Sequence, residues 1–292
     1  MLFNLHTHTK FSDGSGDPEN YVEEAIIQGF HTLGFSDHSP VPFENNFAIR
    51  EGQIKEYVNA ISGIRQPASL APPLLKERGS GGEVHILLGL EVDYIPGITQ
   101  AIDYYRKNFL FDYFIGSVHF VKSTNSNNLW FIDGPNIEIY DNGLKEIFSG
   151  DIHKAVTAYY HQLDQMIVNE KPDIIGHLDK IKMYNRERYF SENDEWYEAL
   201  VNETLDLAKH SGSVIEVNTR GIYKKRSDTF FPGLEILKKV KALKIPITLS
   251  SDAHKPSELS LYFPEAKKVL ADLGFKTLAL KNSAGWEEVP LH

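Results

Sequence analysis

The sequence predicts an α/β protein whose strands and helices alternate and close into a single barrel. Short apolar runs of strand length alternate with longer amphipathic segments along the chain. Side chains that can bind metals follow the ends of several of these runs, as expected for a barrel with a site at one mouth. Barrel folds commonly reach this length of 292 residues, so we interpret residues 1–292 as one domain.

Each predicted strand is a short apolar run that is bounded by polar or turn-forming residues. Pro18 and Gly29 bracket a predicted helix over residues 20–29, because Pro favours a first helical turn and Gly favours a helix end. Similar apolar spacing predicts helices over residues 192–211 and 233–243. Strands are predicted at residues 2–6, 32–36, 86–92, 113–118, 173–177, 213–217 and 246–250, with a weaker eighth at residues 276–280.

Residues 66–83 interrupt this alternation. Their sequence, QPASLAPPLLKERGSGGE, contains three prolines and three glycines and has no periodic apolar face. The segment offers little apolar surface to offset the entropy of ordering it. We therefore predict a flexible insertion within the domain.

The composition excludes several classes of protein. The chain has no cysteine, which excludes disulfide frameworks, thiolate zinc sites and cysteine nucleophiles. No run approaches the roughly 20 apolar residues of a membrane span, and the first residues lack the pattern of a signal peptide. These features predict a cytoplasmic protein without a membrane partner. The formal net charge of −10 disfavours broad binding to nucleic-acid phosphates, whereas a cluster of cation-binding carboxylates would contribute to it.

The potential metal ligands lie at the C-terminal ends of the predicted strands, which converge on one mouth in a parallel β/α barrel. His6 and His8 are two residues apart on a strand, so both imidazoles can reach one ion. Glu91 stands in an otherwise apolar strand, where a carboxylate must be paired or bind a metal. The candidates in chain order are His6, His8, Asp13, His38, Glu91, His119, His177, Asp252 and His254.

Some of these residues also have ordinary structural explanations. Asp13 precedes a glycine and could form a turn, and His38 precedes a Ser-Pro pair and could cap a loop. Several other histidines fall in helical or connecting segments, where surface or core roles are more common. Among those, His153 is the one that we consider for chemistry.

Six short motifs occur in a fixed order over nearly the whole chain: HTHTKFSDGS, FSDHSP, GLEVDY, GSVHF, GHLDK and SSDAH. As a set they resemble the polymerase-and-histidinol-phosphatase (PHP) superfamily. The segment IEVNTRGIYKK, the FPG that follows it and the overall length resemble the monofunctional histidinol-phosphate phosphatases of histidine biosynthesis. The resemblance implies a distorted, TIM-like barrel of seven β/α units, with the weaker eighth strand peripheral and three divalent metals at the mouth.

The resemblance also implies how the candidate ligands divide among the three metals. Neutral imidazoles combined with a few carboxylates suit Zn, Fe or Mn, whereas an all-oxygen site would suit Mg or Ca. The implied sets are His6, His8, Asp252 and a bridging Glu91 for the first metal; Glu91, His119 and His177 for the second; and Asp13, His38 and His254 for the third.

The reaction that the resemblance implies is the hydrolysis of L-histidinol phosphate, a small phosphate ester, and metals could promote it by attack of a metal-bridging hydroxide on phosphorus. Glu91 and Asp252 hold the catalytic metals in this prediction. Arg220 has a planar guanidinium suited to the phosphoryl group, and Arg186 is a weaker alternative. His153 and a metal-bound water are the two candidates that would protonate the leaving alkoxide.

Two other functions remain open from the sequence. One is a related phosphoesterase that acts on nucleotides or oligonucleotide ends; the acidic balance and the lack of a basic, aromatic-rich strip disfavour it, so no nucleic-acid partner is expected. The other is a metal-stabilised binding or scaffold protein without turnover. A missing ligand would indicate that class, and none is missing here. The sequence carries no indication of the oligomeric state.

Overall fold

The computed structural model describes residues 1–65, 84–123 and 127–291. The predicted insertion over residues 66–83 lies outside these ranges and stays a prediction. The strands in the described ranges are β1 (Phe3–Asn4), β2 (Thr32–Phe35), β3 (His85–Asp93), β4 (Tyr113–Ser117), β5 (Phe120–Lys122), β6 (Leu129–Phe131), β7 (Ile174–Ile175), β8 (Val214–Asn218), β9 (Ile247–Ser250), β10 (Thr277–Asn282) and β11 (Gly285–Pro290).

The helices mostly connect successive strands and surround the sheet. None of the helices in the described ranges is both long enough and apolar enough to cross a membrane. The α-helices are α1 (Pro18–Gln28), α2 (Ile54–Ile64), α3 (Ile102–Asn108), α4 (Ile137–Phe148), α5 (Ile152–Glu170), α6 (Glu195–Ser211), α7 (Arg220–Tyr223), α8 (Leu234–Leu243) and α9 (Phe263–Asp272), and two short 3₁₀ helices span Lys180–Lys182 and Pro256–Glu258.

Seven parallel strands form one sheet in the order β1-β2-β3-β4-β7-β8-β9. The two outermost strands, β1 and β9, are joined just beyond their C-terminal ends, where Thr7 and Ala253 form a parallel bridge. The amide of His8 donates to the carbonyl of Ala253 at 2.8 Å, and the amide of Ala253 donates to the carbonyl of His6 at 3.1 Å. The sheet is therefore a nearly closed β/α barrel of seven strands, and the closure lies among the predicted ligands.

All seven clear strand predictions are confirmed, although β1 and β7 are only two residues long. The weaker eighth prediction is confirmed as a peripheral strand, since β10 pairs with β11 in a separate antiparallel sheet. A further antiparallel pair, β5 with β6, was not predicted. It lies directly after the end of β4 and places Phe131 and the residues that follow it beside the mouth.

Tyr113, at the start of β4, packs across the two preceding strands. Its hydroxyl donates a hydrogen bond to the carbonyl of Leu5 at 2.6 Å. Gly34 and Gly89 make room for the ring, because a Cβ at Gly89 would lie 2.3 Å from the ring's Cζ and one at Gly34 would lie 2.2 Å from the hydroxyl oxygen. This contact links four neighbouring strands and holds together the part of the barrel that carries most of the predicted ligands.

We predict that Gly89→Ala lowers the free energy of unfolding by about 1–3 kcal/mol, because the added methyl group overpacks the Tyr113 ring. Gly63→Ala is the matched control: that glycine lies in α2 with open space around its Cβ position, so alanine should stabilise by roughly 0.5–1 kcal/mol. Urea unfolding of both variants measures the difference. Equal stability of Gly89→Ala and the unsubstituted protein would contradict this packing.

Candidate metal centre

The barrel brings all nine predicted ligands to one mouth. Eight of them are buried, with at most 9% of their surface exposed, and Asp13 is the exception, with a side chain that is 33% exposed. Their positions follow from the fold, because most stand at or just beyond the C-terminal end of a strand and the parallel strands all end on the same side.

The first group surrounds one oxygen of the Glu91 carboxylate. Nε2 of His6 lies 3.1 Å from Oε2 of Glu91, and Nε2 of His8 lies 3.4 Å from the same oxygen. Asp252 completes the group, with its Oδ1 3.3 Å from Nε2 of His8. His6, His8 and Asp252 each offer an atom close enough to the other two for one ion to contact all three.

The second group faces the other oxygen of the same carboxylate. Nε2 of His177 lies 3.2 Å from Oε1 of Glu91, and Nε2 of His119 lies 3.7 Å from it. The two histidine nitrogens are 3.1 Å apart. Glu91 therefore presents one oxygen to each group, which is the arrangement expected of a carboxylate that bridges two ions.

The third group gathers around Asp13. Its Oδ1 lies 3.1 Å from Nε2 of His254, 3.9 Å from Nε2 of His38 and 4.0 Å from Nδ1 of His8. His8 is thus close to both the first and the third group. The sequence predicted it in the first group only.

The donor atoms in these groups fit metal ions. Most buried polar atoms in proteins make hydrogen bonds. In the described ranges, however, several atoms that point into the groups make none, and all are imidazole nitrogens or carboxylate oxygens of the kind that bind Zn, Fe or Mn. These atoms are Nε2 of His6, Nε2 of His8, Nδ1 of His38, Oε2 of Glu91 and Oδ1 of Asp252.

Two buried carboxylates behind the groups orient the histidines. Glu216 lies 2.5 Å from Nδ1 of His6 and also accepts the backbone amide of His177 at 2.8 Å. Asp93 lies 2.6 Å from Nδ1 of His119. When Nδ1–H donates to a carboxylate, the ring is fixed and Nε2 is left as the ligand atom. Sequence reasoning missed both carboxylates.

Electrostatic interactions keep the shared carboxylate of Glu91 ionised. They shift the pKa values of His6 and His8 in opposite directions. Burial raises the pKa of Glu91, but the histidines His6 and His38 outweigh it and hold that pKa well below its usual range. Burial lowers the pKa of His6, but Glu216 and Glu91 raise it more. For His8, burial and the neighbouring imidazoles both lower the pKa, so this ring is neutral and free to bind an ion.

A cavity of about 330 Å³ opens over the three groups. Arg220 lies in its wall, where its Nη1 donates to the carbonyl of Asp252 at 2.8 Å and to the hydroxyl of Tyr223 at 3.2 Å. Arg220 therefore lines the cavity over the ligand groups, and its phosphate-binding role stays a prediction. The lining residues other than the predicted ligands are Asn46, Phe47, Phe131, Asp133, Pro135, Lys180, Arg220 and Arg226.

Two predicted residues lie elsewhere. Arg186 is half-exposed, lies 3.8 Å from Asp228 and donates to the carbonyl of Lys225, and it does not line the cavity. His153 is exposed on the first turn of α5, with its ring 4.4 Å from that of Trp196, and it too is absent from the cavity wall. The geometry therefore assigns neither the phosphate grip to Arg186 nor the proton transfer to His153.

Comparisons with known proteins identify the family of this chain. The sequence profile of the PHP domain matches residues 4–220. The chain belongs to the PHP domain family. A probable histidinol-phosphatase of Deinococcus radiodurans is 27% identical over 284 residues, covering 96% of this chain and 97% of that protein. The histidinol-phosphatase of Bacillus subtilis is 27% identical over 271 residues, covering 87% of this chain and 94% of its own length.

The fold also agrees with that of a solved histidinol phosphate phosphatase. The histidinol phosphate phosphatase of Lactococcus lactis, solved with zinc, L-histidinol and phosphate, superposes with a TM-score of 0.68. The alignment covers 98% of both chains at 21% identity. The similarity extends over the full barrel and is one of fold.

We predict that Glu216→Gln weakens metal binding by about 10- to 100-fold, because an amide orients the His6 ring less strongly than a carboxylate does. Glu198→Gln, on the exposed face of α6 near Lys239, is the control for loss of one surface carboxylate. Titration of metal-free protein with Zn²⁺ compares the affinities. Unchanged affinity in Glu216→Gln would show that His6 does not depend on this contact.

Proposed function

We propose that this PHP domain protein is a metal-dependent phosphomonoesterase that hydrolyses L-histidinol phosphate to L-histidinol and phosphate. The observation that carries the proposal is the convergence of three ligand groups, two of which share Glu91, beneath one cavity that also contains Arg220. The relatives named above support the choice of substrate, because two are histidinol-phosphatases by name and one binds L-histidinol and phosphate.

We further propose that the three groups hold three divalent ions, which are Zn, Fe or Mn by the chemistry of the donors. Such ions, when bound, supply activated water and neutralise charge on the phosphoryl oxygens. The proposed ligands are His6, His8, Asp252 and Glu91 for the first ion, Glu91, His119 and His177 for the second, and Asp13, His38 and His254 for the third.

Arg220 is the proposed phosphoryl-binding residue. Two of its contacts, to Asp252 and Tyr223, fix the guanidinium at the cavity wall before substrate arrives. A donor that is fixed in advance and buried stabilises developing charge more strongly than a mobile surface group. Phe47 and Phe131 line the same cavity and give it apolar surface on which a flat imidazole ring can pack.

The other functions considered from the sequence fit these features less well. A nucleotide- or oligonucleotide-directed relative would need a basic, aromatic-rich strip, whereas the chain carries a net charge of −10. A binding or scaffold protein without turnover would have no need for a complete ligand set that opens into a cavity lined by Arg220.

A panel of phosphate esters tests the proposal. Protein loaded with Zn²⁺, Fe²⁺ or Mn²⁺ should release phosphate from L-histidinol phosphate with a kcat/KM on the order of 10-fold or more above that for nucleoside monophosphates or 4-nitrophenyl phosphate. Chelation should abolish the activity, and added metal should restore it. Faster hydrolysis of nucleotides would identify a different phosphoesterase, and bound metal without turnover would identify a binding protein.

A further inference from the structure

Lys180, the last residue of the GHLDK motif, is a buried cation in the cavity wall to which neither the sequence analysis nor the proposed ligand sets assign a role. It begins the 3₁₀ helix Lys180–Lys182, three residues after the proposed ligand His177, and only 3% of its surface is exposed. Its Nζ lies 2.6 Å from Oδ2 of Asp133, which also lines the cavity. A second cation, Arg226, lies 3.5 Å from the other oxygen of Asp133.

A contribution to folding stability is a weak explanation for the buried ion pair of Lys180 and Asp133. Removing an ammonium and a carboxylate from water costs free energy that their attraction does not always return, and apolar replacements are often as stable. Three cations, Lys180, Arg220 and Arg226, also share this wall with a carboxylate, Asp133, that neutralises one positive charge. The other carboxylates of the lining, Asp13, Glu91 and Asp252, are proposed metal ligands, so with the ions bound the lining would carry an excess of positive charge, which suits an anion.

Lys180 and Arg220 border different parts of the metal centre. Arg220 contacts the backbone of Asp252, a member of the first group. Lys180 follows His177 of the second group by three residues, and its partner atom, Oδ2 of Asp133, lies 4.0 Å from Nε2 of His119 in the same group. A tetrahedral phosphoryl group placed over Glu91 would therefore meet one cation from each side.

We propose that Lys180 is a second phosphoryl-binding residue and that Asp133 positions it, so that Lys180 and Arg220 hold the phosphoryl group from opposite groups of the centre. This rests on the proposed phosphatase function. An ammonium has three donors, of which Asp133 accepts one, and the others can turn toward non-bridging phosphoryl oxygens. The contact is a charge-assisted hydrogen bond of the kind that binds phosphate strongly.

Lys182 provides a matched control within the same 3₁₀ helix. Its side chain is as buried as that of Lys180, at 4% exposed for each. It pairs with Asp179 at 2.7 Å and with Glu192 at 3.1 Å, and it does not line the cavity. Replacing either lysine removes a buried ion pair, but only the change at Lys180 removes a cation from the cavity.

The experiment measures binding of inorganic phosphate to metal-loaded protein by calorimetry, together with metal content and the unfolding temperature. Lys180→Met should weaken phosphate binding by about 10- to 100-fold while the metals stay bound. Lys182→Met should change phosphate affinity by less than about 2-fold, although it lowers stability. Should Lys180→Met fail to fold, Lys180→Gln, which keeps a donor for Asp133, carries the same test and the same expected loss.

Unchanged phosphate affinity in a folded, metal-loaded Lys180 variant would overturn the proposal. An equal loss in Lys182→Met would also overturn it, because the effect would then come from packing of the 3₁₀ helix. Phosphate binding does not depend on which ester the protein hydrolyses. A wrong substrate assignment would therefore appear in the ester panel and leave the result for Lys180 intact.

Discussion

The carboxylate of Glu91 is the constraint on which the mouth of the barrel depends. Its two oxygens face two different sets of histidines, Oε2 toward His6, His8 and His38 and Oε1 toward His177 and His119. A buried charge of this kind is tolerated only when it is paired or bound to a metal. The strands on both sides of β3 must therefore end where their side chains can reach Glu91.

The surrounding structure keeps that arrangement rigid. Ser117 donates a hydrogen bond to Oε1 of Glu91 at 2.6 Å, and Glu216 and Asp93 fix the rings of His6 and His119 from behind. Because these supports lie on strands and are buried, the donor atoms are held in place before any ion binds. The same rigidity extends into the cavity wall through the contacts of the Arg220 guanidinium.

The sequence predicted the barrel and the convergence of the ligands because both follow from local patterns. Strand length, apolar runs and the polar residue at each strand end are readable over a few residues. Residues that depend on long-range contacts were missed. Glu216 meets His6 across 210 residues of sequence, and Lys180 meets Asp133, which directly follows a hairpin that was not predicted. Glu216 had a readable signal, since it is an acidic residue in an apolar strand like Glu91.

His153 was predicted near the site but lies away from the cavity. Sequence alone does not show that this residue, on the first turn of α5, is exposed and packs beside Trp196.

The most direct test of the shared carboxylate is the metal content of Glu91→Ala, compared with that of His254→Ala and the unsubstituted protein. Because one Glu91 oxygen faces each of two groups, Glu91→Ala should lose metal from both, together with nearly all phosphate release from L-histidinol phosphate. His254→Ala should lose metal from the third group alone. Elemental analysis that finds no greater loss in Glu91→Ala than in His254→Ala, or a full metal content with full turnover, would contradict the bridging role.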